Sequence, residues 1–141
     1  MSAPETSETK QKDICERTFQ FAVRIVKLCQ FLEESSRVAR TLGGQLLRAG
    51  TSVGANVEEA QAGHSRADFI SKMGIALREA RETHYWIRLL EAAEIVPVSR
   101  LDPLKGEAEE LKKILGSIVV KTRRSNPLLR LFFTFYFLIL N

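Results

Sequence analysis

Seven residues near the middle of this chain limit its fold more than any other feature: Phe69, Met73, Ala76, Ala80, Thr83, Ile87 and Leu90 advance in unbroken alternation of four and three. Such steps keep returning to one side of a 3.6-residue helix, so the stretch carries a single apolar stripe whose burial requires other helices. Its start is marked as well, because Ser65 followed by Asp68 makes a capping box and Gly63 suits a C′ position just before it. The spacing predicts a helix over about 66–94 at the centre of a helical bundle.

Three further segments have the same period. Over about 13–34, Phe21, Ile25, Leu28 and Leu32 share one face, and Asp13 with Glu16 resembles an N-cap with its partner carboxylate. Over about 37–62 the stripe is Leu42, Leu46, Ala49, Val53, Val57 and Ala60, interrupted by Gly43, Gly50 and Gly54. Each glycine costs roughly 1 kcal/mol against alanine inside a helix, so close approach of a neighbouring backbone is expected there. Over about 102–124, Asp102 and Pro103 suit N-cap and N1, and Leu104, Ala108, Leu111, Leu115 and Ile118 form the stripe. Glu107, Glu109 and Glu110 come early and Lys121, Arg123 and Arg124 late, which complements the helix dipole at both ends.

A chain of 141 residues builds one core, and its prolines at 4, 97, 103 and 127 leave long helices uninterrupted. No strand pattern competes. The expected fold is all-α, an antiparallel up-down-up-down four-helix bundle over 13–125, after a disordered lead-in at 1–12 and before an apolar tail at 126–141. Apolar residues outside the main stripes, Phe19, Val26 and Cys29 in the first helix and Ile70, Leu77, Tyr85 and Trp86 in the third, point to burial against another subunit. A homo-oligomer is expected.

The residues capable of chemistry are few. Cys15 and Cys29 lie on one helix about 21 Å apart by helical rise, which excludes an intrachain disulfide and leaves two small buried hydrophobes. A carboxylate-bridged di-metal bundle needs Glu-x-x-His pairs, and neither His64 nor His84 belongs to one. No metal or cofactor is expected. Phosphate-loop, dinucleotide and nucleophile-elbow motifs are missing from the sequence, so no catalytic residue is assigned. Glu79 and Glu82 share a helix face, with Arg78 and Arg81 between and beside them and with Arg48 and Asn56 of the second helix as cross-helix partners. Asn56, Glu79 and Glu82 therefore read as a polar network fixing helix register.

Positive charge is distributed in blocks within a net charge of +4. Arg37, Arg40 and Arg48 precede the first following acid, Glu58, and Lys112, Lys113, Lys121, Arg123 and Arg124 lie in a stretch with no acid. These eight residues are the candidate phosphate contacts for RNA or DNA. The polar N-terminus has no signal-peptide h-region, so a cytoplasmic location is expected. The run LLRLFFTFYFLILN after Pro127 is too short to span a bilayer comfortably. A fortuitous extension, a membrane-surface anchor and a packing element all remain open for it, and no membrane partner is expected.

Three phrases carry a resemblance: ERTFQFAVRIVKLCQ from Glu16, QLLRAGTSVGANVEEA from Gln45, and SRADFISKMGIALREARETHYWIRLLEAAEIVP from Ser65. Together they resemble the bacterial four-helix-bundle family named after proteins encoded in intervening sequences of 23S rRNA genes, over roughly 13–124. That family includes proteins similar to the accessory protein of diversity-generating retroelements, which form a five-subunit barrel with a basic surface engaging nucleic acid and a reverse transcriptase. The resemblance thus implies a homopentamer, a nucleic-acid link, a reverse transcriptase or other protein partner, and no enzyme activity. Ser52, Asn56, Glu79 and Glu82 match the family pattern as packing residues. Glu59 and Gln61 to Ala62 depart from it, and residues after Ser125 lie outside it. The competing expectation is a protein-interaction scaffold that binds no nucleic acid directly.

Overall fold

The structure, a computed structural model, describes the backbone of residues 7–125 and the side chains of residues 14–125. Four helices and no strand occur among the described residues, consistent with a four-helix bundle: α1 (Ser7–Glu33), α2 (Arg37–Gln61), α3 (Arg66–Ala92) and α4 (Val98–Arg124). The apolar run after Pro127 and the first six residues of the expected lead-in lie outside this description. None of these helices is long and apolar enough to cross a membrane.

The predicted stripes form one core. Phe21, Ile25 and Leu32 of α1, Leu46, Val53 and Val57 of α2, Met73, Ile87 and Leu90 of α3, and Leu101, Leu111 and Leu115 of α4 are buried together. Each such side chain contributes about 1.5–3 kcal/mol on burial, far more than local helix propensity does. Leu42, Phe69 and Ile118, expected in the stripes, are only half-buried at its margin.

The α2 glycines explain how α1 and α2 approach so closely. A Cβ at Gly43 would stand 3.2 Å from Leu32 Cβ, at Gly50 2.8 Å from Ile25 Cγ1 and Cγ2, and at Gly54 3.2 Å from the Thr18 carbonyl oxygen. The expected close approach of a neighbouring backbone is present at Gly54; at Gly43 and Gly50 it is a buried side chain of α1 that fills the space. Half-buried Cys29 belongs to the same seam, where its Sγ donates to the Gly43 carbonyl at 3.3 Å. Buried Thr18 returns its hydroxyl to the Ile14 carbonyl of its own helix at 2.8 Å, so the seam leaves no orphan donor there.

Three helix ends differ from the sequence expectation. α1 begins at Ser7, so Asp13 is interior to the helix and is no N-cap; residues 7–12 contain neither Pro nor Gly, and nothing local stops the helix there. α4 begins at Val98, with Pro97 as N-cap and Pro103 inside the helix. Fully buried Leu101 holds this extra turn to the core, and Arg100 lies over the Phe31 ring at 4.0 Å, so Asp102 and Pro103 do not start the helix. α3 ends at Ala92 in a Schellman arrangement: Glu94 N–H donates to Glu91 O and Ile95 N–H to Leu90 O, both at 3.0 Å. Glu94 occupies the left-handed position with φ of 55°. Gly63 instead keeps a negative φ, and its missing Cβ makes room for Asp68 and the Ala60 carbonyl at 3.3 Å.

Ser36 and Ser65 cap α2 and α3 by accepting from Ala39 N–H and Asp68 N–H, each at 3.1 Å. Helices adjacent in sequence pack closely, whereas α1 and α4 meet sparsely. The α1–α4 seam is tied by a two-pronged ion pair in which Arg17 Nε and Nη2 donate to the Glu107 carboxylate at 2.6 and 3.0 Å.

Candidate nucleic-acid interface

The eight expected phosphate contacts do not form one patch. Arg37 and Arg40 lie exposed in the first turn of α2, whereas Lys121, Arg123 and Arg124 lie exposed in the last turns of α4. Arg66, at the start of α3, donates to the Thr122 carbonyl at 2.9 Å and to the Ser125 hydroxyl, which puts the end of α4 beside the start of α3. The two basic ends are therefore separated by about 37 Å, the rise of the 25-residue α2.

The middle members of the set are neutralised. Arg48 donates to Glu79 Oε2 at 3.3 Å and to Glu82. Lys112 donates to Glu109 at 2.6 Å and lies 3.3 Å from His84 Nδ1, and Lys113 donates to Glu110 at 3.0 Å. Burial pushes the His84 imidazole below its ordinary range, with the Lys112 charge acting in the same direction.

The expected polar network is present in part. Glu79 is 8% exposed and Glu82 half-buried, and both accept from Arg48, which locks α2 against α3. Glu82 also accepts from Trp86 Nε1 at 3.1 Å, and the Arg48 hydrogen bond, then the Trp86 one, holds its carboxyl below the usual carboxylate range. Glu79 and Glu82, both held by Arg48, fasten α2 to α3. Asn56 does not reach across the interface; its Nδ2 donates to Ser52 O at 2.8 Å and Ser52 Oγ at 3.1 Å within α2.

Two cations that sequence spacing placed in the network, Arg78 and Arg81, stand apart from it, as does Arg88. Arg78, Arg81 and Arg88 are exposed on α3, and no carboxylate lies within ion-pair distance of them among the described residues. The acids of α3 turn sideways instead, Glu79 and Glu82 to Arg48 and Glu91 to Lys105, whose Nζ donates to it at 2.7 Å. The available signal was the helical angle, which puts these arginines on the face opposite the buried stripe. Beside them an open groove of about 780 Å³ runs between α3 and α4, lined by Tyr85, Leu89 and Gly106 and by the charged Arg88, Glu91, Asp102, Lys105 and Glu109.

Comparison with known proteins follows the same segment of chain. The family profile described as 23S rRNA-intervening sequence protein matches residues 10–117. A crystal structure of a protein of unknown function from the S23 ribosomal protein family of Bacteroides thetaiotaomicron VPI-5482 is similar at a TM-score of 0.70 and 42% identity, over 75% of this chain and 97% of that one. No curated protein matches the chain.

Proposed function

The chain belongs to the 23S rRNA-intervening sequence protein family, and on that premise we propose that it is a non-enzymatic, oligomeric accessory protein that associates with nucleic acid through basic helix surfaces. The observation that carries this reading is the end of α4. Lys121, Arg123 and Arg124 are exposed there with no carboxylate in ion-pair reach among the described residues, and Arg66 extends the positive surface onto α3. These charges also complement the C-terminal dipole of α4, which accounts for part of their placement. Arg37 and Arg40 provide a second positive end, at a helix N-terminus where local energetics disfavours cations.

The proposal includes an antiparallel up-down-up-down order, supported by contacts whose numbers rise along one helix as they fall along the next: Leu32 to Gly43 and Thr18 to Gly54, then Arg48 to Glu82 and Glu59 to Lys72, then Glu91 to Lys105 and Arg66 to Thr122. It includes a homo-oligomeric ring, for which exposed Phe19 and Val26 on α1 and Leu47 on α2 supply apolar contact. A relation to the accessory protein of diversity-generating retroelements, a reverse transcriptase as partner, RNA or DNA as ligand and a cytoplasmic location complete it.

The test is fluorescence-anisotropy titration of the full chain against a structured RNA and a duplex DNA over a range of salt. A log–log salt slope steeper than about −3, reduced by Lys121→Gln/Arg123→Gln/Arg124→Gln, supports the reading. No binding at low salt to either probe leaves the scaffold reading in its place.

A further inference from the structure

Within the nucleic-acid reading above, on which this inference rests, we infer that the outward face of α3 and the groove it shares with α4 bind single-stranded nucleic acid, with Arg78, Arg81 and Arg88 on phosphates and a base stacked beside Tyr85. At 100° per residue, positions 78, 81, 85 and 88 fall within about 80° of the helix circumference and extend about 15 Å along its axis. The residues form a short cationic strip with one aromatic ring in it, long enough for a few nucleotides. Two features make that strip a surface for a polyanion.

The first is charge. In an isolated helix Arg78 would pair with Glu82 four residues on. Here Arg48 takes Glu82 and Glu79, Lys105 takes Glu91 and lies 3.1 Å from Asp102, and Lys112 takes Glu109. Every carboxylate next to the strip thus has its ion pair with a cation from α2 or α4, Arg48 and Lys105 each holding two acids, and the three α3 arginines make no ion pair of their own among the described residues. Arg24 and Lys27 are also exposed cations, but they lie on α1, away from this face.

The second is shape. Tyr85 is 53% exposed although it packs edge-on against Trp86 with centroids 5.0 Å apart, so its ring is held in place while remaining accessible. Next to it the groove is walled by Leu89 and Ala92, and across it Gly106 of α4 would find no atom within 4 Å of an added Cβ. A glycine in a helix interior costs roughly 1 kcal/mol against alanine, and no contact within this protomer calls for it. An open slot walled by Leu89 and Ala92, with the carboxylates Glu91, Asp102 and Glu109 of its lining held in ion pairs, beside a fixed aromatic ring and a row of arginines without ion pairs, suits a stacked base flanked by phosphates, which a duplex with its bases already stacked cannot supply.

The test compares a fluorescein-labelled single-stranded oligonucleotide with its duplex, using the full-length chain and three variants. Tyr85→Ala is expected to weaken single-strand binding by about 5- to 150-fold and leave the duplex and the salt slope unchanged, while Tyr85→Phe retains binding. Arg78→Gln/Arg81→Gln/Arg88→Gln is expected to flatten the single-strand salt slope by about 2, from roughly 0.7 per phosphate contact. Gly106→Leu is expected to weaken single-strand binding at unchanged or raised melting temperature, because it fills the groove without touching the core. Single-strand binding as tight as the parent in all three variants overturns this inference and leaves the association through Lys121, Arg123 and Arg124 standing. Loss of the oligomer in the arginine variant without loss of affinity overturns it in favour of a subunit contact. No binding of the parent chain to either probe overturns both readings together.

Discussion

Two glycines of α2 should respond differently to the same substitution, one gaining stability and the other not. Gly44→Ala adds a methyl group where no atom lies within 4 Å, so only the helix propensity changes and stability should rise by up to about 1 kcal/mol. Gly50→Ala makes the same propensity gain, but its Cβ would stand 2.8 Å from both γ carbons of Ile25. Carbon pairs are most stable near 3.5–4.0 Å, so the helices must part or Ile25 must move by roughly 0.7 Å. Ile25 is fully buried and stiff at χ1, which leaves it no cheap alternative rotamer. Overpacking of this kind costs about 1–3 kcal/mol, so Gly50→Ala should be neutral to destabilising by about 2 kcal/mol. The propensity term cancels in the difference between the two variants, which isolates the packing term. Urea unfolding followed by far-ultraviolet circular dichroism measures it, at one protein concentration because linked association makes stability concentration-dependent. If Gly50→Ala stabilises as much as Gly44→Ala, the close approach of α1 and α2 is wrong. If Ile25→Ala fails to relieve the Gly50→Ala penalty in the double variant, the clash has been assigned to the wrong partner.

Glu94→Gly should stabilise by about 1 kcal/mol, since the left-handed conformation at φ of 55° strains any residue with a Cβ; thermal melting that shows a loss would contradict the Schellman reading of the α3 terminus. The Arg17 hydrogen bond, reinforced by its charge, holds the Glu107 carboxyl below its usual range, so its stabilising contribution is present above the unfolded value of about 4.3 and is lost as pH falls through the lower folded value. Glu107→Gln should flatten that acid limb in denaturant midpoints measured against pH, and an unchanged limb would exclude this pair. Burial pushes the Cys29 thiol up to about 11, so its contribution is complete below the unfolded value of about 8.5 and lost as pH rises towards 11. At pH near 8, mass spectrometry should find Cys29 alkylated by iodoacetamide on the order of a hundredfold more slowly than a free thiol and more slowly than Cys15, and equal rates would refute the buried seam.

The separation between what was readable in one dimension and what was not follows the range of the forces involved. Helix periodicity is local and repeats, so Met73, Ala76, Ala80, Thr83, Ile87 and Leu90 announced a buried face that the core confirms. Backbone hydrogen bonding at a cap is equally local, and the Ser65 cap on Asp68 N–H lies where the capping box put it. The seam glycines were legible because a helix interior tolerates three of them only where something approaches closely.

The boundaries of α1 and α4 were less legible. A helix end is decided by tertiary burial as well as by its cap residues, and Leu101 extends α4 past a proline signal that would otherwise have begun it. Among the charges, spacing along the chain paired Arg78 and Arg81 with Glu79 and Glu82. Packing brought Arg48, the cross-helix partner expected from the sequence, to both acids and left the α3 arginines facing outward. An ion pair forms with whatever lies within a few ångströms, and for Glu79, Glu82 and Glu91 that neighbour comes from another helix. By itself the sequence determined four helices, their buried faces and where glycine would let two of them touch. Only the tertiary structure decided which cations are neutralised and which remain available to a partner, because that depends on distances between helices that no spacing within one helix encodes.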